Sequence, residues 1–327
     1  MKILITGGNG MVGRAVRRYC RINKIECVSF RSSEFDLTDP FQTDALLEQN
    51  TSCTHLLHLA ANVGGIKKNL ENNATLFSDN VLINTNVLNH AAKYGNFKKV
   101  LSLMSSCVYP DEPVSYPLEE SILHSGEPHF TNYGYAYAKR MLDIHSRALN
   151  EQQKDTLFMT AIPNNLYGEH DNFDLENAHV IPAITRKIYE TKLSGGDTVR
   201  LWGDGRPERE FTYVRDLAEI LVWLLENSEC ETPLNVGTTE SISIRDAAEK
   251  IKEVLEWPEG NIFWDTNEPS GQLKKPTNNS KFQELYKQKE DKMFQYTPFA
   301  EGISETISRW FLFNFPNLEG VYKNEFF

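Results

Sequence analysis

The first thirteen residues restrict the fold more than any other stretch of the chain. Met1-Lys2-Ile3-Leu4-Ile5-Thr6 is a short apolar run; Gly7-Gly8-Asn9-Gly10-Met11-Val12-Gly13 follows at once, and an apolar-periodic segment then runs through Cys20. A buried strand, a glycine turn and a helix in that order open a βαβ unit. Gly7, Gly10 and Gly13 have the G-x-x-G-x-x-G spacing, a variant of the dinucleotide fingerprint. Glycine permits the tight turn and lets the backbone approach a pyrophosphate at a helix N-terminus. An ordinary glycine-rich turn is the competing reading; its position directly after the first strand favours a nucleotide site.

Strand and helix signals then alternate to about residue 165. Thr54–Leu59, Lys99–Leu103 and Leu157–Ile162 read as strands, and the stretch from Ala74 to Tyr94 reads as a long helix. The alternation predicts an α/β fold, a doubly wound parallel sheet of Rossmann type, with ligands at the carboxyl ends of its strands. After Pro163 the pattern loosens. Helices near 180–189, 214–226 and 243–256 and a short strand near 233–237 predict a smaller α/β lobe. The expected division is 1–165 plus a returning segment, about 205–238, as the NADP-binding domain, with 166–204 and 239–327 as the substrate domain.

The second strand is expected to end near Val28-Ser29-Phe30. No acidic residue that would grip a ribose hydroxyl stands there; Arg31, Ser32 and Ser33 occupy the place. An arginine with hydroxyls suits a 2′-phosphate, which makes NADP(H) the expected cofactor over NAD. A solvent-facing Arg31 is the alternative. Asp36-Leu37-Thr38-Asp39 reads as a loop within reach of the adenine.

Composition sets the outer bounds. With 327 residues, 40% hydrophobic and 24% charged, the chain can bury one large or two modest cores. It has no run of 18 apolar residues, so no membrane partner is expected, and its opening is too short and too soon interrupted by glycine to read as a signal peptide. Five scattered cysteines with no metal spacing suggest a reducing cytoplasm and no metal site. A net charge of −11 argues against nucleic acid as a partner.

The chemistry is concentrated downstream. Tyr135 and Lys139 share one face of a helix. A nearby ammonium stabilises phenolate, so the spacing predicts a phenol that exchanges its proton closer to neutral pH than usual. Tyrosine and lysine at this spacing are common in ordinary helices, and the neighbours decide. Met104-Ser105-Ser106-Cys107 directly follows the apolar strand 99–103, where this architecture puts chemistry. Ser105 is placed to bond a substrate carbonyl beside Tyr135. Cys107 is either a base or acid at an acidic C–H or a small buried filler.

Together these motifs resemble the extended short-chain dehydrogenase/reductase family, and within it the GDP-L-fucose synthase branch. The matches are Gly7-x-x-Gly10-x-x-Gly13, Ser105-Ser106-Cys107-Val108-Tyr109-Pro110, Tyr135-Ala136-Tyr137-Ala138-Lys139, Pro163-Asn164-Asn165-Leu166-Tyr167-Gly168, His170-Asp171-Asn172-Phe173, His179-Val180-Ile181-Pro182-Ala183 and Trp202-Gly203-x-Gly205-x-Pro207-x-Arg209-Glu210-Phe211. They cover the chain to about residue 280.

The resemblance implies NADPH-dependent 3,5-epimerisation and 4-reduction of GDP-4-keto-6-deoxy-D-mannose to GDP-L-fucose. It implies Ser105, Tyr135 and Lys139 as the reductase triad and Cys107 and His179 as base and acid of the epimerisation. It implies cofactor contacts at Gly7, Gly10, Met11, Val12, Gly13, Arg31, Asp36, Leu37, Lys139, Pro163, Asn165, Leu166 and His179. Substrate contacts are implied at Asn164, Lys187, Trp202, Arg209 and Lys275. The position of Lys187 is often arginine in the family, and lysine lacks the planar fork for bidentate phosphate binding. Fold relatives pair as homodimers through two helices, here 74–94 and the one carrying Tyr135. Read on the residues alone, His179 is equally a helix-start histidine satisfied by backbone, and Arg209 a partner for Glu208 or Glu210.

Rival readings remain. One is a reductase of a related GDP-4-keto sugar, such as a 6-deoxy-heptose, needing neither Cys107 nor His179. A 4,6-dehydratase would place an acidic pair where Ser106 and Cys107 stand, and a 4-epimerase would hold NAD permanently. A non-catalytic NADP-sensing Rossmann module is the reading from another class.

Overall fold

The computed structural model describes residues 1–268 and 273–315. From the N-terminus run β1 (Lys2–Thr6), α1 (Met11–Ile22), β2 (Glu26–Ser29), α2 (Pro40–Gln49), β3 (His55–His58), α3 (Ile66–Glu71), α4 (Asn73–Tyr94), β4 (Lys99–Leu103), α5 (Tyr133–Gln152) and β5 (Leu157–Ile162). Each boundary has a local cause. Asp39 caps α2 by accepting from Phe41 N and Gln42 N, with Pro40 at the first helical position. Gly95, in left-handed conformation at φ 61°, ends α4. All five residues of β4 are buried, as expected of a central parallel strand covered on both faces.

Six strands form one parallel sheet in the order β2-β1-β3-β4-β5-β9, where β9 is the short pair Leu234–Asn235. Helix α1 covers one face together with α7 (Val214–Asn227), burying Val16, Leu217, Leu221 and Leu224. On the other face α2, α4 and α5 bury Leu46, Val87, Leu88 and Leu142. This is the doubly wound Rossmann arrangement read from the sequence.

The second lobe is built from β6 (Asn165–Tyr167), α6 (Val180–Leu193), β7 (Thr198–Trp202), β8 (Glu208–Tyr213), β10 (Ser241–Ser243), α8 (Ile244–Val254) and β11 (Asn261–Asp265). Its strands make a three-stranded sheet, β10-β8-β6, and a two-stranded pair, β11-β7. Its own core contains Ile184, Ile188, Phe211, Ile251 and Phe299, the last from α10 (Phe299–Thr306).

Two segments sit differently from the expected division. β8 pairs with β6 and β10, so the return to the large sheet begins at Val214, not near 205. Helix α9 (Ser280–Glu290) packs Phe282 and Tyr286 into the core beneath α1 and α7, although 239–327 was expected in the substrate lobe. Aromatic burial against Trp223 holds it there, with ring centroids 4.8 Å apart for Tyr286 and 6.2 Å for Phe282. Among the described residues no helix is long and apolar enough to cross a membrane.

Candidate active site

The glycine turn is tighter than its sequence spacing alone conveys. Gly7 has φ 69°, and a Cβ there would lie 2.7 Å from Ala60 N. A Cβ on Gly13 would lie 2.3 Å from the Gly7 carbonyl oxygen, so helix, turn and the end of β3 touch backbone to backbone. Gly10 is the N-cap of α1 and no side chain caps the first turn. A Cβ on Gly10 would meet only Gly7 O, at 3.5 Å. Uncapped N–H groups facing open space are what a diphosphate requires, so the turn fits the dinucleotide. Met11 and Val12 begin α1 and lean against the core of the second lobe.

The end of β2 departs from expectation. Arg31 is exposed, and its backbone N–H donates to Glu34 Oε2 at 2.6 Å. A carboxylate therefore does stand near the strand end, three residues beyond where the sequence reading sought it. Asp36 spends one oxygen on Thr38 N and Thr38 Oγ1, at 2.9 and 2.7 Å. Leu37 is a core side chain, 6% exposed, packed with Leu46 and Val87, so its side chain is withdrawn from any adenine.

At the carboxyl end of β4, Ser105 accepts from Cys107 N at 3.4 Å and begins a single turn that presents Cys107. Arg140 Nε reaches the Val108 carbonyl at 2.6 Å and pins that turn to α5. On α5, Lys139 Nζ donates to the Leu103 carbonyl at 2.7 Å and lies 5.9 Å from the Tyr135 ring centre. Lys139 is 2% exposed, and burial lowers its pKa to about 8, opposed by Cys107. Burial also pushes the Tyr135 phenol well above its ordinary value, with Cys107 adding to the rise. The sequence reading expected the opposite direction for Tyr135; desolvation of the phenol reverses it. The phenol therefore rests protonated.

Burial raises the Cys107 thiol too, against lowering by Ser105, Lys275 and Lys139. Lys275 in turn is weakened first by burial and then by Arg209, with Cys107 acting the other way. Ser105, Cys107, Tyr135, Lys139, Lys275 and Arg209 thus form one electrostatic neighbourhood. His179 is the N-cap residue of α6, and its side chain makes no cap hydrogen bond. Although the residue as a whole is exposed, desolvation of the ring lowers its pKa from the ordinary histidine value and favours the neutral imidazole. The segment before it, Asn177–Ala178, lies 3.2 to 3.6 Å from where a Gly65 Cβ would be, which places the α6 N-terminus against the loop after β3.

The 163–166 segment divides by role. The Pro163 carbonyl accepts from Ser106 N at 2.9 Å. Asn164 is 8% exposed and fully engaged: its amide donates to Glu210 Oε2 and Thr238 O at 3.1 and 2.7 Å, and its oxygen accepts from Thr212 at 2.6 Å. Its side chain is therefore not free for the substrate contact expected of it. Asn165 is exposed, with one bond to the Glu210 carbonyl at 3.2 Å, and Leu166 is half-buried. Lys187 Nζ sits 5.2 Å over the ring of Trp202, whose face is 59% exposed.

Two arrangements escaped sequence reading. Glu210, 2% exposed, receives Thr277 N, Thr277 Oγ1 and the Asn164 amide, at 3.0, 2.6 and 3.1 Å. It ties Asn164, its neighbour Arg209 and the Lys275 loop together. A relay also links the glycine turn to α5. Thr6 Oγ1 bonds His58 Nδ1 at 2.8 Å, His58 Nε2 meets Asn84 Oδ1 at 3.1 Å, and Asn84 donates to the Ala138 carbonyl at 2.9 Å. His58 is neutral, its pKa pushed down to about 3 by burial and then by Lys139. The sequence signal for it was faint: a polar pair, Thr6 and His58, in register at the ends of adjacent strands.

Comparison with known proteins agrees with this geometry. The pattern of the NAD dependent epimerase/dehydratase family matches residues 3–237. The GDP-L-fucose synthase of Dictyostelium discoideum is 39% identical over 96% of each chain. A probable GDP-L-fucose synthase of Drosophila melanogaster is 34% identical over 96% of this chain and 98% of its own. The crystal structure of a GDP-L-fucose synthetase from Naegleria fowleri bound to NADP superimposes with a TM-score of 0.88, at 39% identity, over 96% of this chain and 93% of that one. The chain belongs to the NAD dependent epimerase/dehydratase family, among its GDP-L-fucose synthases.

Proposed function

We propose that the protein converts GDP-4-keto-6-deoxy-D-mannose to GDP-L-fucose, by 3,5-epimerisation followed by NADPH-dependent 4-reduction. The observation that carries this is the joint presence of Tyr135 and Lys139 beside Ser105 and Cys107 at the carboxyl end of β4. A reductase alone needs the first pair; the thiol serves proton exchange at carbon.

A ketone at carbon 4 acidifies the hydrogens at carbons 3 and 5. His179, neutral, and Cys107, a thiol, are titratable groups from distant segments suited to opposite faces of the sugar. Lys275 and Lys139 both favour the Cys107 thiolate, the form that acts as base once the thiol proton has gone to solvent, and His179 takes up a solvent proton before it returns one to carbon as acid. Ser105 and Tyr135 polarise the keto oxygen and hold enolate charge. When bound, NADPH supplies the hydride that arrives at carbon 4. Tyr135, resting protonated, gives its proton to the oxygen, and Lys139 supports the phenolate left behind. Gly7, Gly10 and Gly13 hold the diphosphate of the cofactor. Arg209 and Lys275 act as paired cations for the diphosphate of the substrate, where a polyanion would relieve their mutual repulsion.

Asn164 and Glu210 position these groups without touching substrate. Lobe division follows the cores: residues up to 163, the 214–238 return and α9 carry the cofactor, and the other described residues carry the sugar nucleotide. Exposed Phe77 and Leu82 on α4, with Tyr137 and Ile144 on α5, support a homodimer through these helices. Assembly in the cytoplasm is consistent with five free thiols.

The test is product analysis with GDP-4-keto-6-deoxy-D-mannose and NADPH in deuterated water. Deuterium at carbons 3 and 5 of GDP-L-fucose is expected. A reduced sugar without label would leave a reductase only, and absence of NADPH turnover would leave a cofactor-sensing module.

A further inference from the structure

We infer that the outer face of α1 forms a second binding site, for a compact polyphosphate anion, separate from the dinucleotide groove. A basin of about 820 Å³ lies there, lined by Arg14, Arg17, Arg18 and Arg21 of α1, by Arg215 at the start of α7 and by Arg309, and it adjoins the end of β2 at Val28 and Ser29. The buried face of α1 carries Gly13, Val16 and Cys20; the arginines recur at three- and four-residue spacing on the side away from the sheet. One carboxylate, Glu169, lines the basin, and Glu305 pairs with Arg215 and Arg309 at 3.5 and 3.1 Å. Six guanidiniums thus face two carboxylates in a chain whose net charge is −11.

Three of the six cations, Arg18, Arg215 and Arg309, share two carboxylates, and the other three have none among the described residues. Arg14 Nε is held by the Asn9 carbonyl at 2.7 Å and Arg17 by the Asn9 side chain at 3.1 Å. Arg18 lies 3.6 Å from Glu169, which also bonds Arg215. Arg215 Nε is buried without a partner, and Arg21 makes no ion pair among the described residues. Like charges at this spacing destabilise a helix, and cations near its N-terminus oppose the dipole. A bound polyanion removes both costs. Guanidinium forks match phosphate oxygens two at a time. The volume suits a small ligand, for which sites span roughly 300–1,000 Å³. Inorganic triphosphate and the phosphate end of a nucleotide share the required chemistry.

Arg14 and Arg17 also bond Asn9 in the glycine turn, so occupancy of the basin couples to dinucleotide affinity, and the coupling is reciprocal. Titration calorimetry of the full chain at low salt, with NADPH saturating, tests the site using inorganic triphosphate, ATP and vesicles of anionic phospholipid. One triphosphate per chain is expected to bind, more weakly as salt rises. Arg18→Gln with Arg21→Gln should lower that affinity about a hundredfold, about tenfold per charge-assisted contact, and leave NADPH affinity in the absence of triphosphate unchanged. Arg309→Gln alone should lower it about tenfold. Equal affinity for ATP and triphosphate would assign recognition to phosphates; tighter ATP would add a nucleoside contact. Unchanged binding in these variants, loss of binding on saturation with NADPH, or capture by vesicles without triphosphate binding would each overturn the inference.

Discussion

Replacing Lys139 with methionine should make the protein more stable and catalytically dead. The ammonium is 2% exposed and its pKa falls from an ordinary 10.5 to about 8. At 1.36 kcal/mol per pH unit, charging this group costs the folded state about 3 kcal/mol at neutral pH. Methionine fills a similar volume without charge. It also forfeits the bond to the Leu103 carbonyl, a loss of about 1 kcal/mol. The net expectation is a gain of about 2 kcal/mol at pH 7, a rise in Tm of about 4 °C.

The sign changes with pH. Below pH 8 lysine is charged in both folded and unfolded chains, and the folded state bears the full penalty. Between about 8 and 10.5 the folded chain has released the proton and the unfolded chain still holds it, so wild-type stability rises with pH relative to the variant. Above 10.5 the methionine variant should be the weaker by about 1 kcal/mol, the missing hydrogen bond alone. Urea unfolding of both proteins across pH 7 to 11 reads this crossover directly. A variant less stable than wild type at pH 7, or a difference that does not move with pH, would refute the reasoning. Such a group persists in a core because the reaction needs it, which is the usual trade of stability against activity.

Three further outcomes follow from single positions. Gly13→Ala should prevent cofactor binding and destabilise the domain by several kcal/mol, since its Cβ would sit 2.3 Å from the Gly7 carbonyl oxygen and 2.5 Å from Gly8 Cα; normal NADPH binding by fluorescence titration would contradict it. Cys107→Ser should slow label uptake from deuterated water by about 10²–10⁴-fold while a ketone already epimerised is still reduced; an equal fall in both steps would make Cys107 structural. Glu210→Leu leaves Thr277 N and one of the two Asn164 amide hydrogens buried without acceptors, and should cost about 2–4 kcal/mol in urea unfolding, with GDP affinity falling through the displaced Lys275 loop. Unchanged stability would remove Glu210 from its place at the junction.

How much of this was legible in the sequence depends on whether a residue's role is local. β4 and β5 were readable end to end because each is a mostly apolar run between helices, as a parallel strand covered on both faces requires. The glycine spacing announced a backbone-to-backbone contact that only glycine allows. β7 and β8 went unread for opposite reasons. β7 is five residues of alternation, exposed and buried in turn, too short to stand out. β8 hides a buried carboxylate, Glu210, inside its apolar pattern. That carboxylate makes sense only with Thr277, 67 residues later, and Asn164, 46 residues earlier, neither of which local periodicity can see.

The candidate site divides in the same way. Spacing correctly put Tyr135 and Lys139 side by side, but charge depends on desolvation, and desolvation is a property of everything packed around a group. Spacing therefore suggested a phenol poised to ionise, whereas burial keeps it protonated and loosens the lysine instead. The inversion suits the chemistry. A reductase working with NADPH needs an acid at the keto oxygen, and a phenol that holds its proton until negative charge develops on that oxygen supplies it at the moment of hydride arrival. The lysine, with a pKa of about 8, is still largely charged at pH 7 to stabilise the phenolate that results.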